Sequence, residues 1–517
     1  MLDHIRDRAT AEPGLVALVD DTTVLNWGDA ASSIDRLARA LRRIAPGVDG
    51  RVAVVGENRV ETLLAHVAAI AAGVGTVAMS RQLTAREMAD QFLDSGCVAV
   101  ITGPGGVGAA SEAATRAGLT TVITHNVSEA ASASVSLLTW DAFLSRGGAE
   151  LGDLAERPAR PPLVYTSGTT GRARGTEVRW LPTPASSAAE FESGIARRSG
   201  YPPGAHLVAG PLQHNGPLTS IRHLLSGQPV VIPGRFDAQR VLELIETHSV
   251  TSALMVPTHF SRLLALDPRI RNRYDVSSLA HVAHTGSACP ADVKRAMIEW
   301  FGPVLVESYG GSEIGTVCKI DSTQWLEHPR SVGRVVDPFE VVVVGADGET
   351  LGAGETGILG FRTPPGREVV YHGDPEKTAR AYILPGVATL GDVGHVDDEG
   401  YVFITDRVSD MVVSGGVNLY PAESEQVLSG HPDVAEVAVI GVPDADLGEA
   451  LLALVVPAAG RFVDIDDLRT YARQELASYK CPKHYDVVDE LARNAMGKLD
   501  KKALRAPYWD SERTIAG

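Results

Sequence analysis

Over the first 300 residues, short apolar runs alternate with longer segments whose apolar positions recur every three or four residues. Arg51-Val-Ala-Val-Val-Gly56 is too short for a helix and reads as a strand buried on both faces of a parallel sheet. Glu61 to Ala72 reads as a helix, and Cys97 to Thr102 as a further strand. The longest apolar stretch, Leu63 to Met79, holds His66 and two glycines, so it reads as a buried helix running into a strand and not as a membrane span. Farther on, Ala238 to His248 carries Val241, Leu242, Leu244 and Ile245 at helical spacing, Ser252 to Val256 is strand-like, and Ala291 to Phe301 is helical. From Val335 to Arg362 the pattern turns β-rich, with Glu340-Val-Val-Val-Val344 ahead of an Asp347-Gly348 turn. Gly400 to Thr405 is one more strand. Past a boundary near residue 409 the text restarts with strands Val434 to Ile440 and Leu451 to Val456 and a helix Ile465 to Ser478. That tail is long enough for a small domain of its own. Alternation of this kind predicts an α/β fold with helices on the faces of its sheets.

Composition narrows the function classes. At 517 residues and 44% hydrophobic content the chain is too long for one core, and 21% charged residues argue against wholesale disorder. A net charge of −17 disfavours a nucleic-acid partner, which needs clustered Lys and Arg. Any anionic ligand must then be met by local cations. The four cysteines, Cys97, Cys289, Cys318 and Cys481, form no C-x-x-C pair, so neither a disulfide framework nor a zinc site is expected, and a reducing cytoplasm fits. The start, Met1-Leu-Asp-His-Ile-Arg6, has no apolar signal core.

Four stretches carry candidate chemistry. In Leu163-Val-Tyr-Thr-Ser-Gly-Thr-Thr-Gly-Arg-Ala-Arg-Gly-Thr-Glu-Val178 an apolar strand runs into a loop of Thr, Ser and Gly followed by Arg172 and Arg174. Glycine lets backbone N–H groups converge on phosphate oxygens, hydroxyls add donors, and arginines add fixed charge. The spacing is not that of a Walker A loop, and a surface turn of the same composition is the plainer alternative. In Val306-Glu-Ser-Tyr-Gly-Gly-Ser-Glu-Ile-Gly315 a strand delivers Tyr309, suited to a purine face, and Glu313, suited to Mg²⁺, a hard cation that prefers oxygen ligands. An ordinary solvated Glu at a strand end is the alternative there. Asp392, in a glycine turn, can accept both hydroxyls of a ribose or simply shape a β-turn. Lys498 follows Gly497 in a flexible segment, whereas Lys501 and Lys502 read as a solvated helix face.

Taken in order, these stretches resemble the adenylate-forming superfamily of acyl-CoA synthetases, adenylation domains and luciferases. The motifs match over residues 163 to 505, and Asp94 to Thr102 resembles the family's N-terminal region. Ser414-Gly-Gly-Val-Asn-Leu-Tyr-Pro-Ala-Glu423 and Pro211-Leu-Gln-His-Asn-Gly-Pro217 resemble the acyl-CoA synthetase branch. The resemblance implies a large N-terminal domain, residues 1–408, of stacked mixed sheets with helices and a β-rich portion, and a small mobile C-terminal α+β domain, residues 409–517. The active site is expected at their interface. It implies two half-reactions: a substrate carboxylate attacks ATP and expels pyrophosphate, and a thiol, usually CoA, opens the acyl adenylate. Thr166, Ser167, Gly168, Thr169, Thr170 and Gly171 would clasp the phosphates, with Arg174 behind them. Ser287, Ala288, Glu307, Ser308, Tyr309 and Gly310 would line the adenine. Ser312 would touch phosphate, Glu313 the Mg²⁺, and Asp392 and Arg407 the ribose. Lys498 would bridge the carboxylate and the α-phosphate. Rotation of the small domain would then remove Lys498, with Gly415 and Gly416 passing pantetheine and His214 at the acyl pocket.

The chain departs from the family pattern at four places. Ala173-Arg174-Gly175 replaces Pro-Lys-Gly, Ser312 replaces Thr, Gln213 replaces Tyr, and Ser409 stands at the hinge where Asp or Lys is usual. The last leaves the acceptor open between CoA, a carrier-protein thiol and a partner enzyme. Two rival classes also stand. Gly103-Pro-Gly-Gly-Val-Gly108 fits the G-x-G-x-x-G of an NAD-dependent oxidoreductase, although the next strand, Thr120 to Thr124, ends in His125-Asn126 and not in an acid. A non-catalytic adenylate-binding protein is the other rival, against which the retained Lys498 argues.

Overall fold

In the computed structural model, which describes all residues but 1, 48, 128–134, 148–156, 167–173, 178–180, 182–184, 199, 415–416, 445–446, 495–497 and 510–517, the apolar stretch is a helix, Val60–Ala72, with every residue buried. Gly73, in the left-handed region at φ 63°, ends it, and strand Gly75–Ser80 follows. The one polar ring inside, His66, is satisfied by Thr76 Oγ1 at 2.8 Å from Nδ1. Burial pushes its pKa down to about 3, so the ring is neutral.

The chain forms two compact units, one of residues 1–338 with 363–381, the other of residues 339–362 with 382–517. The first holds two layers of sheet. One runs Ser136–Thr139, Thr121–Thr124, Cys97–Thr102, Arg51–Gly56, Gly75–Ser80, Leu163–Thr166, Arg174–Glu177, all parallel except the last pair. The other runs from Ser331–Val335 through Gly315–Asp321, Leu305–Gly311, His281–His284, Val250–Met255, Ala205–Val208 and Val230–Val231 to Val16–Val19 and Val24–Asn26. Its central strands are parallel and its margins antiparallel. One core joins both sheets: Val52 and Val54 of the first and Val208 and Val230 of the second pack with helices Trp27–Ile44 and Val60–Ala72. A helix buried on every side needs apolar residues all round, which is why Val60–Ala72 shows no polar face, whereas Trp27–Ile44 keeps charged residues on its outer side.

In the second unit, Glu340–Val344, Gly357–Arg362, Val387–Val396 and Tyr401–Arg407 make an antiparallel sheet, and Gly348 takes the positive φ that the expected Asp347-Gly348 turn needs. Strands Val434–Asp444 and Gly448–Pro457 pair over their length, with one register shift between Val434 and Glu436, and side chains alternate between the two faces beyond it. Leu451, Ala453 and Val455 meet helices Pro421–Leu428 and Ile465–Glu475 on one face, whereas Leu452 and Leu454 face Leu491, Leu499 and Leu504 on the other. The second helix stops three residues before its expected end, and a short turn Ser478–Lys480 follows.

Candidate active site

The parallel strands of the larger sheet in the first unit deliver the predicted residues at their carboxyl ends, where α/β sheets bind ligands. Strand His281–His284 lies beside Leu305–Gly311 with His284 opposite Glu307. Beyond it come Thr285, Gly286, Ser287 and Ala288, the last two exposed. Thr285 Oγ1 donates to the Ser308 carbonyl at 2.6 Å, tying that loop to the strand that carries Tyr309. Gly216, two residues past His214, packs against Leu254 and Thr285, so the His214 turn belongs to the same cluster.

Strand Leu305–Gly311 folds back into Gly315–Asp321 with Gly311 opposite Gly315. The loop between them is only Ser312, Glu313 and Ile314. A Cβ on Gly310 would collide with the Gly315 carbonyl, and Gly315 has φ 84°, so both glycines are required by the turn. Buried Ile314 anchors the loop, leaving Ser312 and Glu313 half-buried at its tip. Glu313 Oε1 accepts a hydrogen bond from the Tyr371 phenol at 3.3 Å, and its other oxygen has no partner among the described residues. An oxygen-only donor held on a rigid loop fits a hard cation such as Mg²⁺.

Glu307 is placed differently from its neighbours. Its carboxylate is turned inward, 2.5 Å from the buried Lys294 Nζ, with His284 Nε2 at 3.8 Å. Any part for Glu307 at an adenine must therefore lie outside its side chain. Burial raises the Glu307 pKa and lowers that of Lys294, and it drives His284 well below its ordinary value.

Of the phosphate loop, residues Ser167, Gly168, Thr169, Thr170 and Gly171 lie outside the described residues. Its flanks are described: Leu163–Thr166 pairs antiparallel with Arg174–Glu177, Thr166 opposite Arg174, so a hairpin closes the loop. The segment around Tyr371 braces this exit strand. Thr176 bridges to Tyr371, and the His372 N–H donates to the Gly175 carbonyl at 2.9 Å. Tyr371 was invisible to motif reading; its only sequence signal is a Tyr ahead of the helix Pro375–Arg380.

In the second unit, Asp392 and Arg407 are cross-strand partners, with Arg407 Nε 3.1 Å from the buried Asp392 carboxylate. Lys498 is exposed on a small hairpin. Its N–H donates to Asn494 Oδ1 at 3.1 Å and its carbonyl accepts from the Asn494 N–H at 2.9 Å. Gly415 and Gly416 lie outside the described residues. The expectation for Lys501 is corrected: its side chain is largely buried, 2.7 Å from Glu425, because the helix Lys501–Arg505 packs its first turn inward, while Lys502 stays exposed. Arg505 ties the same helix to the segment Ser409–Asp410, donating to the Ser409 carbonyl at 3.3 Å and to Asp410 at 3.1 Å.

The family model described as AMP-binding enzyme matches residues 5–367, and that of the AMP-binding enzyme C-terminal domain matches residues 423–498. The chain belongs to the AMP-binding enzyme family. The chain is 32% identical over 520 residues to a feruloyl-CoA synthase from an Amycolatopsis species, covering 97% of both chains. It is 33% identical over 527 residues to a Mycobacterium tuberculosis 3-[(3aS,4S,7aS)-7a-methyl-1,5-dioxo-octahydro-1H-inden-4-yl]propanoyl:CoA ligase, covering 98% of this chain and 99% of the relative. Among solved structures it resembles the o-succinylbenzoate CoA synthetase MenE of Bacillus subtilis in complex with its acyl-adenylate intermediate. That match has TM-score 0.81 and 26% identity, and it covers 100% of this chain and 99% of that one.

For an AMP-binding enzyme the G-x-G-x-x-G turn has another use. The Gly105 N–H, which a dinucleotide's pyrophosphate would need, donates instead to Glu57 at 2.6 Å. The rival dehydrogenase loses its phosphate cradle to the protein's own carboxylate. Among the described residues no helix is long and apolar enough to cross a membrane.

Proposed function

We propose that this AMP-binding enzyme couples a medium-to-bulky apolar or aromatic carboxylic acid to CoA in two half-reactions. In the first, a carboxylate oxygen attacks the α-phosphorus of ATP, the bond to the β-phosphate breaks, and pyrophosphate leaves with the acyl adenylate formed. In the second, the CoA sulfur attacks the acyl carbon, its proton is lost, and AMP departs. Thr166 to Gly171 with Arg174 bind the phosphates; Ser287, Ala288, Ser308, Tyr309 and Gly310 line the adenine; Ser312 contacts phosphate; Asp392 and Arg407 hold the ribose. Lys498 places positive charge between the acid and the α-phosphate, where charge accumulates in an otherwise acidic protein. Bound at Glu313, Mg²⁺ would offset phosphate charge. His214 borders the acid, and the division at residue 409 separates the part that carries Lys498.

The reading rests on the end-to-end similarity to CoA ligases, 97% of both chains in the feruloyl-CoA synthase comparison. The relatives' names support this acid class, since one is a feruloyl-CoA synthase and another a bicyclic propanoyl:CoA ligase. Pyrophosphate release measured across a library of carboxylic acids, with and without CoA, tests it. Aromatic or bulky alicyclic acids should give release and, with CoA, the thioester. Release without thioester would move the acceptor to a carrier-protein thiol. No release with any acid would leave a non-catalytic adenylate-binding protein.

A further inference from the structure

A carboxylate on a three-residue loop can rotate about its own side-chain bonds however rigid the backbone is. A cation site needs that rotation stopped. Among the described residues, one group at Glu313 can do so: the Tyr371 phenol, 3.3 Å from Oε1 and 58 residues away in sequence.

We propose that Tyr371 is a positioning residue for the divalent cation that accompanies the nucleotide: its O–H holds one oxygen of Glu313 so that the other is presented to the metal. The inference rests on the reading of Glu313 as the metal ligand. Outer partners that orient a ligating carboxylate are a general feature of metal sites. The direction of the bond suits this role: the phenol O–H donates and the carboxylate oxygen accepts. The ring is itself fixed. Lys377 Nζ sits 4.0 Å over its centroid. The Tyr371 N–H donates to Thr378 Oγ1 at 3.0 Å, and the backbone bridges to Thr176 on the exit strand of the phosphate loop. One side chain thus refers the metal-facing carboxylate to the strand that leaves the phosphate loop.

Tyr371→Phe removes one oxygen and keeps the ring, the Lys377 contact and the backbone bonds. The test is Mn²⁺ binding to the full-length protein with a non-hydrolysable ATP analogue, followed by electron paramagnetic resonance. Tyr371→Phe should weaken Mn²⁺ about tenfold or more, in line with losses of outer-shell partners. It should shift the Mg²⁺ dependence of pyrophosphate release by a similar factor, restore the plateau at high Mg²⁺ and leave the melting temperature unchanged. Adding Tyr371→Phe to Glu313→Gln should cause no further loss. Unchanged Mn²⁺ affinity in Tyr371→Phe, where Glu313→Gln weakens it, overturns the proposal and leaves the reading of Glu313 standing. Unchanged affinity in Glu313→Gln overturns both. A lowered plateau with normal Mn²⁺ affinity marks a packing role and also overturns it. Should Tyr371→Phe fail to fold, 3-fluorotyrosine at position 371 keeps the donor and must keep wild-type Mn²⁺ affinity; a loss there counts against the proposal.

Discussion

Replacing Lys294 with Met strands the Glu307 carboxylate inside the first unit. Lys294 Nζ lies 2.5 Å from Glu307 Oε2, and the two side chains are 1% and 11% exposed. Among the described residues no other cation stands ready. His284 is 3.8 Å away, but burial holds it neutral, and neither ring nitrogen has a hydrogen-bond partner among those residues. Lys294 also sits 4.7 Å from the Trp325 ring centroid, an attraction lost with the charge. Breaking a buried pair from one side costs about 3–5 kcal/mol, because the remaining charge is uncompensated. Removing both charges with apolar groups of similar volume is roughly neutral. The expected result is therefore a large loss for Lys294→Met and near recovery for Lys294→Met/Glu307→Leu. Urea unfolding followed by tryptophan fluorescence reads this, with Trp325 beside the change; each unit's transition is fitted separately, since a two-unit chain need not unfold in one step. A single-variant loss below about 1 kcal/mol, or a double variant no better than the single, would refute the buried-pair account. The double variant also bears on nucleotide binding. If it folds as well as the wild type yet its KM for ATP rises steeply, the Glu307 side chain touches nucleotide after all.

Three other outcomes follow from the geometry. Lys498→Ala should abolish ATP–pyrophosphate exchange and spare thiolysis of a supplied acyl adenylate; equal loss in both assays would remove the assigned role. Gly310→Ala should disrupt the Ser312–Glu313 hairpin, since its Cβ has no room against Gly315. Unaltered Mn²⁺ binding and melting temperature in that variant would show that the turn can give way. His66, neutral in the fold with a pKa of about 3 against about 6.5 when unfolded, binds its proton only on unfolding, so it lowers stability as pH falls below 6.5. His66→Asn should therefore lose less stability than the wild type between pH 7 and 5, by about 1.4 kcal/mol per pH unit below 6.5; identical pH slopes would contradict the neutral ring.

The fold was legible wherever burial left a periodic trace. Val60–Ala72 is apolar on every face because it is packed between two sheets, and Leu451 to Val456 is apolar on both faces because helices lie on one side and the Leu499 segment on the other. The grouping of strands into units was not legible, because strand order is set by pairings remote in sequence. Lys501 shows the same limit at the scale of one residue. A lysine beside another lysine reads as surface, and its burial is made tolerable by carboxylates remote in sequence, Glu425 on the helix Pro421–Leu428 with Asp410 and Asp406. Glu307 misled in the opposite sense: it stands in a run expected to face a ligand, but its carboxylate is buried against Lys294, a helix residue 13 positions earlier that the run itself does not reveal.

The chemistry-bearing residues and the groups that orient them differ in how far apart they lie, and this explains which half of the site a motif can disclose. Ser312 and Glu313 are presented by a hairpin whose required glycines, Gly310 and Gly315, flank them within the same short run, so the presentation is written in the motif itself. The Glu313 partner Tyr371 is 58 residues away, and Glu425, which fixes the helix after Lys498, precedes that helix by more than 70 residues. Local sequence can encode a loop that exposes a carboxylate, because turn geometry depends on neighbours. It cannot encode where that carboxylate aims, because aim depends on a donor that only the folded topology brings near. Substitutions at such donors should change metal or nucleotide affinity while every recognisable motif stays intact, and a survey of variants confined to the motifs would miss them.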